Sequence, residues 1–534
     1  MEVCLCADKG DPVGKSSVRT PILRACLLGL SVSTGISISI SPCGAAEFSV
    51  AVTTYPANGT LSSQPSHTSV SNYGFKPVVL LNGNADNSYD VAYHLNGTSK
   101  IRILAFDSSG KLSATLQPDS IYNAKGLVGM ARIPDDSGFA VIYSKDSPHS
   151  GSAYEFWATR VDAKGQKLFS KLIFGDVEKH IFDSKGEPGT FSSGRMLYNK
   201  TSKKLAIYVG HTMAWAPDTV RHQAGFLAFM SLDGSFVVTN GWYSSHNFDQ
   251  RLHLVGNDYY TLAHGDAYPR ALGFAKWSDA GAKGSQVFDK QFLKIPGAVG
   301  DNKTSTQLGN LVPFGDGTFG VMFATANGRN AFDVGYRHLS ATGDTLSLTW
   351  VTTYPAGTFA IFPKMVKYGT NVLLLWEEVA GTASAGIQLA ILDPAGTVVT
   401  PKFPLADKSI RLSPYYDVTA LLNGKILWAN QKGNDSISIL RLVESGSVIQ
   451  DTRPLANALL RLDHGAEGVT LTAFQAGWYS LRQFDSRGKL LSQERRFFRA
   501  GTHALSVSAA SVSYLEARYG DQKARLALIR SGAE

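Results

Sequence analysis

The chain has 534 residues, with 51 Lys and Arg against 43 Asp and Glu, a formal net charge of +8. This mild excess contains no dense basic run, which argues against an extended nucleic-acid surface, and the charged fraction of 18% is too low for a disordered polyelectrolyte. Fifty-two glycines among many aromatic and β-branched residues favour a turn-rich all-β protein over a helical one.

The N-terminus has the layout of a secretory signal peptide. Arg19 and Arg24 precede an uncharged run from Ala25 to Ser41, and Gly44, Ala45 and Ala46 supply small residues for cleavage before Glu47. The run is rich in Ser and Gly and falls short of the roughly 18–20 residues of a membrane span, so no stable membrane insertion is expected after cleavage. All four cysteines (Cys4, Cys6, Cys26, Cys43) lie in this leader. A mature chain of residues 47–534 would then have neither disulfides nor thiolate metal ligands, which suits a secreted or periplasmic bacterial protein.

From Lys76 onward one pattern recurs. A short apolar run, a Gly or Asn turn, and a stronger apolar strand are followed by a third strand ending in D-x-x-G or a variant, then a fourth strand. In the first unit these are residues 77–81, Tyr89 to His94, Ile101 to Phe106, and the turn Asp107-Ser108-Ser109-Gly110. Similar turns end at Gly165, Gly234, Gly281, Gly343, Gly396, Gly446, Gly488 and Gly532. Their spacing of about fifty residues is close to that of a propeller blade. No segment after the leader holds a helical apolar period over three turns. We therefore expect a single β-propeller over 47–534, with four-stranded antiparallel blades. Counting turns gives nine units and a central expectation of about eight blades, within a range of seven to nine. The ring should be closed by Phe48 to Val52 supplying the missing strand of the last unit, Ala504 to Ile529.

In such a blade the second-to-third and fourth-to-first connections share one face. The long connections, Ser144 to Tyr154, Phe174 to Gly194 and Gly210 to Ala224, all belong to that face, which marks it as the working one. The stretch from Gly210 to Arg270 carries five of the twelve histidines: His211, His222, His246, His253 and His264. His211, His222, His246, His264, Asp266 and Arg270 fall at strand ends or connections of that face, whereas His253 lies within a strand and reads as structural. Asp249, Arg221 and Arg251 are interleaved with them.

Three readings of this cluster compete. One is a hydrogen-bonded network that joins two blades. A second is a divalent metal such as zinc, held by His211, His222, His246, His264 and Asp266, although no H-x-x-x-H or H-E-x-x-H spacing is present. The pattern itself names no cofactor. The third is β-elimination from an acidic polysaccharide. Removing the proton α to a uronate carboxylate needs a base (His211, His222 or His264), a cation to neutralise the carboxylate (Arg221 or Arg270) and an acid for the leaving oxygen (Tyr243 or Tyr268). Trp215, Trp242, His246 and Arg251 would contact the sugar.

In architecture and residue types the chain resembles the propeller-type polysaccharide lyases, such as ulvan and rhamnose–glucuronate lyases. The resemblance implies a glycan partner and lyase chemistry, and carries no residue-by-residue roles. The alternative is a non-catalytic propeller that binds glycan or protein at the cell surface.

Overall fold

The computed structural model describes residues 47–534 except 62–78, 147–153, 175–193, 214–221, 246, 266–269, 281–283, 296–303, 413–415, 446–459, 466–467, 474–475, 485–489, 500, 506–513, 520–521 and 528–534. Among the described residues the only regular structure is β-strand. Eight four-stranded antiparallel sheets and one three-stranded sheet are present, an architecture consistent with a β-propeller.

The first six sheets span 79–116, 124–174, 194–245, 247–294, 306–350 and 358–404, and each takes its four strands in chain order. The turns between third and fourth strands explain why. At Asp107 the main-chain carbonyl accepts from Gly110 N–H at 2.9 Å, while the carboxylate accepts from Ser109 N–H at 2.9 Å and Lys111 N–H at 3.0 Å. Gly110 sits at φ 90°, a conformation in which a Cβ would be strained. Asp162–Gly165 and Asp393–Gly396 repeat the geometry, with φ 80° and 95° at the glycine. The register shifts at the adjoining strand ends, which bends the outer strand away from its neighbour.

Burial follows from the placement of the strands. Among the described side chains the first three strands of these sheets are largely apolar and buried, whereas the fourth is more exposed, as in Thr345–Trp350 and Val398–Pro404. Each pair of consecutive sheets encloses its own apolar cluster. Leu80 and Ile103 pack with Met130 between the first and second sheets, and Ile142 with Ile207 between the second and third. Tyr208 packs with Tyr259 between the third and fourth, Leu262 with Val321 between the fourth and fifth, and Met322 with Leu374 between the fifth and sixth. Leu375 joins Trp428 between the sixth and seventh. Leu427 and Ile439 of the seventh sheet share an apolar cluster with Val79 and Val91 of the first.

The seventh sheet is composite. Thr419–Ala420, Ile426–Lys432 and Ser436–Ser445 are completed by the N-terminal strand Glu47–Pro56. All ten residues of that strand are in register, from Glu47 opposite Ser445 to Pro56 opposite Ser436. Phe48 anchors it, buried between Phe403 and Tyr368 at ring-centroid distances of 5.8 and 5.9 Å. The N-terminal strand thus completes a sheet as expected, but its partner is Ser436–Ser445 and not the end of the chain.

The remaining two sheets differ from the other seven. Gly468–Ala473 lies between Leu460–Gly465 and Gly501–Leu505, while Gly477–Phe484 lies between Leu490–Phe498 and Tyr514–Tyr519, with Gln522–Ala527 at the edge. This order interleaves two sheets and departs from the sequential order of the others. The last two turn-defined units of the sequence therefore do not repeat the earlier pattern.

Candidate functional site

The first strands of the seven consecutive sheets line one cavity of about 590 Å³. Its walls come from Leu81, Met130, Leu252, Leu311, Met365 and Val418, among others, one set from every sheet. The cavity reaches the short turns after these strands, where Asn84, Lys200 and Gly256 stand. Toward the other end it meets a charged layer formed by the residues that precede the buried apolar ones. Arg195, Arg251, Asn310, Lys364 and Asp417 come immediately before Met196, Leu252, Leu311, Met365 and Val418. In the second sheet the corresponding residue is Gly129. A Cβ there would meet the main chain of Arg195 and Met196 at 3.2–3.3 Å, so the glycine lets the strand carrying Arg195 approach.

Asp417 is the hub of this layer. Its carboxylate is ion-paired with Arg251, accepts from Arg195 Nε and Nη2 at 3.3 Å, and takes the Asn310 side-chain nitrogen at 3.2 and 3.3 Å when that amide faces it. Arg251 also grips Asp249 through two parallel bonds of 2.8 Å and donates to the Leu308 carbonyl at 3.3 Å. The Arg195 guanidinium lies 4.5 Å from the Tyr416 ring centroid, and the Tyr416 hydroxyl donates to the carbonyls of Val128 and Gly194. Four sheets and the entry to the seventh are tied together in this way.

The electrostatics of the layer follow from its burial. Burial alone would raise the Asp249 carboxyl, but Arg251, with Arg195 and Lys364, holds it below the usual carboxylate range. Burial, then the nearby Arg251 and Arg195, push the Lys364 ammonium well below the ordinary lysine value. The same three causes lower His253 to about 3, and its Nε2 is buried without a hydrogen-bond partner among the described residues. His253 therefore stands neutral within its strand. Behind Lys364, burial raises Glu377 to about 7; its carboxylate accepts from Leu412 N–H at 2.8 Å and lies 3.8 Å from Arg411.

The residues expected from the sequence are distributed around this axis. His211 is near the end of Lys204–Met213 and His222 opens His222–Ser231, with Met213 opposite His222 in register. Trp242 and Tyr243 lie near the end of Phe236–Ser245, Tyr243 opposite Gly225. His264 is one residue from the end of Asp258–Gly265 and faces Asp249 across the ladder, while Arg270 opens Arg270–Ser278. All six are at one end of the third and fourth sheets, the end where Asp249 and Arg251 approach the axis. These sheets are neighbours, and the strand Asn247–Val255 contacts three strands of the third sheet.

Of these residues, only His264 and Arg251 have described side chains, and both are buried. His264 Nε2 is 3.4 Å from the Thr304 hydroxyl, which is itself 3.0 Å from that of Thr306. Arg251 has donors on all three of its nitrogens engaged. Both arrangements fit the network reading better than contact with a substrate. Trp215, Arg221, His246, Asp266 and Tyr268 lie outside the described residues, as do the side chains of His211, His222, Trp242, Tyr243 and Arg270. Among the described residues no group of three or more His, Cys, Asp or Glu is positioned to hold a metal ion. Four of the five expected ligands fall outside that search.

Sequence reasoning missed Arg195, Lys364, Glu377, Tyr416 and Asp417. They occur one or two to a repeat, so a search for local density passes over them. For Arg195, Lys364 and Asp417 the available signal is positional: a polar residue just before the buried apolar residue, shared by the third to seventh sheets.

No protein-family model matches the chain, and no curated protein matches its sequence. Solved structures with some likeness include prolyl oligopeptidase B from Galerina marginata, at 12% identity and TM-score 0.36, covering 66% of this chain and 46% of that one. The chain thus spans less than half the length of that protein. Others are the β-fructofuranosidase of Bombyx mori (9% identity, TM-score 0.29, 77% and 81% covered) and an exo-β-1,3-galactanase from Phanerochaete chrysosporium (12%, 0.29, 75% and 94%). No helix among the described residues is long and apolar enough to cross a membrane.

Proposed function

We propose that the chain is an exported, seven-bladed β-propeller that binds an acidic polysaccharide at the rim of its third and fourth blades and cleaves it by β-elimination. The observation that carries this reading is the gathering of His211, His222, Tyr243 and Arg270 at one end of two adjacent sheets. That end also holds the axial layer, in which Arg195 and Arg251 are already paired with Asp417 and Asp249, so the charge that meets a substrate carboxylate is assigned to Arg270 or Arg221. In this scheme His211 or His222 takes the proton α to the carboxylate, Arg270 or Arg221 neutralises the carboxylate, and Tyr243 or Tyr268 protonates the leaving oxygen. His264 and Arg251 hold the framework in position. Trp215, Trp242 and His246 are assigned to the sugar contact. Residues 1–46 are assigned as the cleaved leader on the pattern of Arg19, Arg24, the uncharged run and the small residues before Glu47.

The test is incubation of the mature chain with a panel of uronate polymers, followed by ultraviolet absorbance and a binding measurement. Elimination creates an absorbing unsaturated uronate. A rise that is lost in His211→Ala or His222→Ala at unchanged melting temperature supports the scheme. Binding without a rise for any polymer favours the non-catalytic alternative, in which the same rim only recognises glycan. Metal analysis of the purified protein tests the zinc reading separately.

A further inference from the structure

The sheet formed by Leu490–Phe498, Gly477–Phe484, Tyr514–Tyr519 and Gln522–Ala527 has two unlike faces. Alternation along the strands turns Tyr479, Leu481, Phe498, Leu515 and Ala517 to the inside, where all are buried. Their neighbours form the opposite face. Trp478 and Phe497 are directly opposite in register, with 55% and 51% of their surface exposed, and meet edge to face with ring centroids 5.7 Å apart. The Arg495 guanidinium is 5.7 Å from the Trp478 ring centroid. In register, Arg495 opposes Ser480, Ser480 opposes Arg518, and Arg482 opposes Glu516. Glu516 is buried beneath the arginines: Arg518 Nε donates to it at 2.6 Å and Arg482 Nη1 is 3.8 Å away. Two guanidinium groups therefore share one carboxylate, and Arg495 lies over Trp478 with no carboxylate of its own on this face among the described residues. In register, Lys523 and Arg525 of the edge strand stand opposite Arg518 and Glu516.

Large exposed aromatic residues beside a surplus of arginine are costly to leave in water and have a defined chemical complement. We infer that this face is a second binding platform for an acidic polysaccharide, in which the Trp478–Phe497 pair takes the apolar face of a sugar ring and Arg495 takes the carboxylate or sulfate on it. Arginine suits that contact because its planar fork pairs with an oxyanion through two bonds. A single aromatic pair with a carboxylate set among the arginines is a poor match for a continuous phosphate backbone, which calls for successive stacking positions along a basic groove. The inference shares its ligand class with the proposed function and uses none of the rim residues.

The experiment compares the full chain with Trp478→Ala, Arg495→Gln and Arg270→Ala for binding to polygalacturonate, heparin, neutral dextran and a single-stranded oligodeoxythymidine. Each platform variant is expected to weaken binding to one of the two acidic polymers by about tenfold or more at unchanged melting temperature. Dextran should bind little. Loss in Arg270→Ala as well supports a platform that works together with the rim. Wild-type affinity in both platform variants, with loss only in Arg270→Ala, overturns the platform and leaves the rim reading intact. No binding of the unmodified chain to either acidic polymer overturns both. Tighter binding to the oligonucleotide that disappears in Trp478→Ala overturns the glycan assignment in favour of nucleic acid.

Discussion

Arg251 of the fourth sheet and Asp417 at the entry to the seventh form an ion pair although 166 residues separate them in the chain. The pair lies where the first strands converge, and Arg195 and Asn310 share the same carboxylate. Replacing Asp417 by Ala leaves two buried guanidinium groups with one fewer counter-ion. Breaking a buried pair from one side costs about 3–5 kcal/mol, and a loss of that order is expected in denaturant unfolding. Asp417→Asn, which keeps an acceptor, should lose less. A double-mutant cycle with Arg195→Gln should show strong coupling; additive effects would mean that the two residues act independently.

Glu377 offers a pH test. Its folded value, raised to about 7 by burial, lies above that of an unfolded glutamate, so the folded state holds its proton over a wider range. The sign follows: stability falls as pH rises from the usual carboxylate range to about 7 and is level above that. Glu377→Gln still accepts the Leu412 N–H and removes the titration. The variant should therefore gain on the wild type as pH rises, by at most about 3 kcal/mol, when unfolding is measured from pH 4 to 8. A difference independent of pH would refute the assignment.

His253 should act with the opposite sign. Lowered to about 3 by burial and two nearby arginines, it is neutral in the fold and becomes protonated more readily in the unfolded chain. Its contribution is present above the ordinary histidine value and is lost as pH falls below it. In His253→Gln, acidification from pH 7 to pH 4 should destabilise the protein less than in the wild type. Chemical denaturation at each pH reads the difference.

Phe48 tests closure of the seventh sheet. It is buried against Phe403 and Tyr368, and truncation of a buried phenylalanine costs about 3–5 kcal/mol. Phe48→Ala should lower the melting temperature and increase hydrogen exchange in Ser436–Ser445, the partner strand. Exchange unchanged in that strand would show that the N-terminal segment is dispensable for its pairing.

Much of the fold was legible in local sequence. The turns at Gly110, Gly165 and Gly396 announce themselves because a positive φ and an aspartate cap are short-range requirements. The expected eight or so four-stranded units agree with the eight four-stranded sheets described, although one of those eight interleaves with the three-stranded sheet and departs from chain order. The same D-x-x-G sequence also stands between Gly477–Phe484 and Leu490–Phe498, where only strand order reveals a different arrangement. The partner of Glu47–Pro56 was not legible, because any sheet lacking a fourth strand satisfies the local pattern. At the site, His211, His222 and Arg270 stood out by density, whereas Arg195, Lys364 and Asp417 become neighbours only when the sheets converge. Arg251 was noticed as a sugar contact, but its engagement by two aspartates depends on a residue far along the chain.

The first described strand waits for nearly the whole chain. Ser49 meets Val443, 394 positions later, so the N-terminal strand is made first and paired almost last. At translation rates of about 5–20 residues per second, that delay lasts tens of seconds. Throughout it, Ser436–Ser445 is not yet available, and Val50 and Val52 belong to a segment without its native edge. Until this contact forms, Ser436–Ser445 has an unpaired sheet edge, the kind of edge that can pair with another chain. Moving Glu47–Pro56 to follow Ser445 through a short added turn would make this pairing local and convert a contact across 394 positions into an ordinary hairpin.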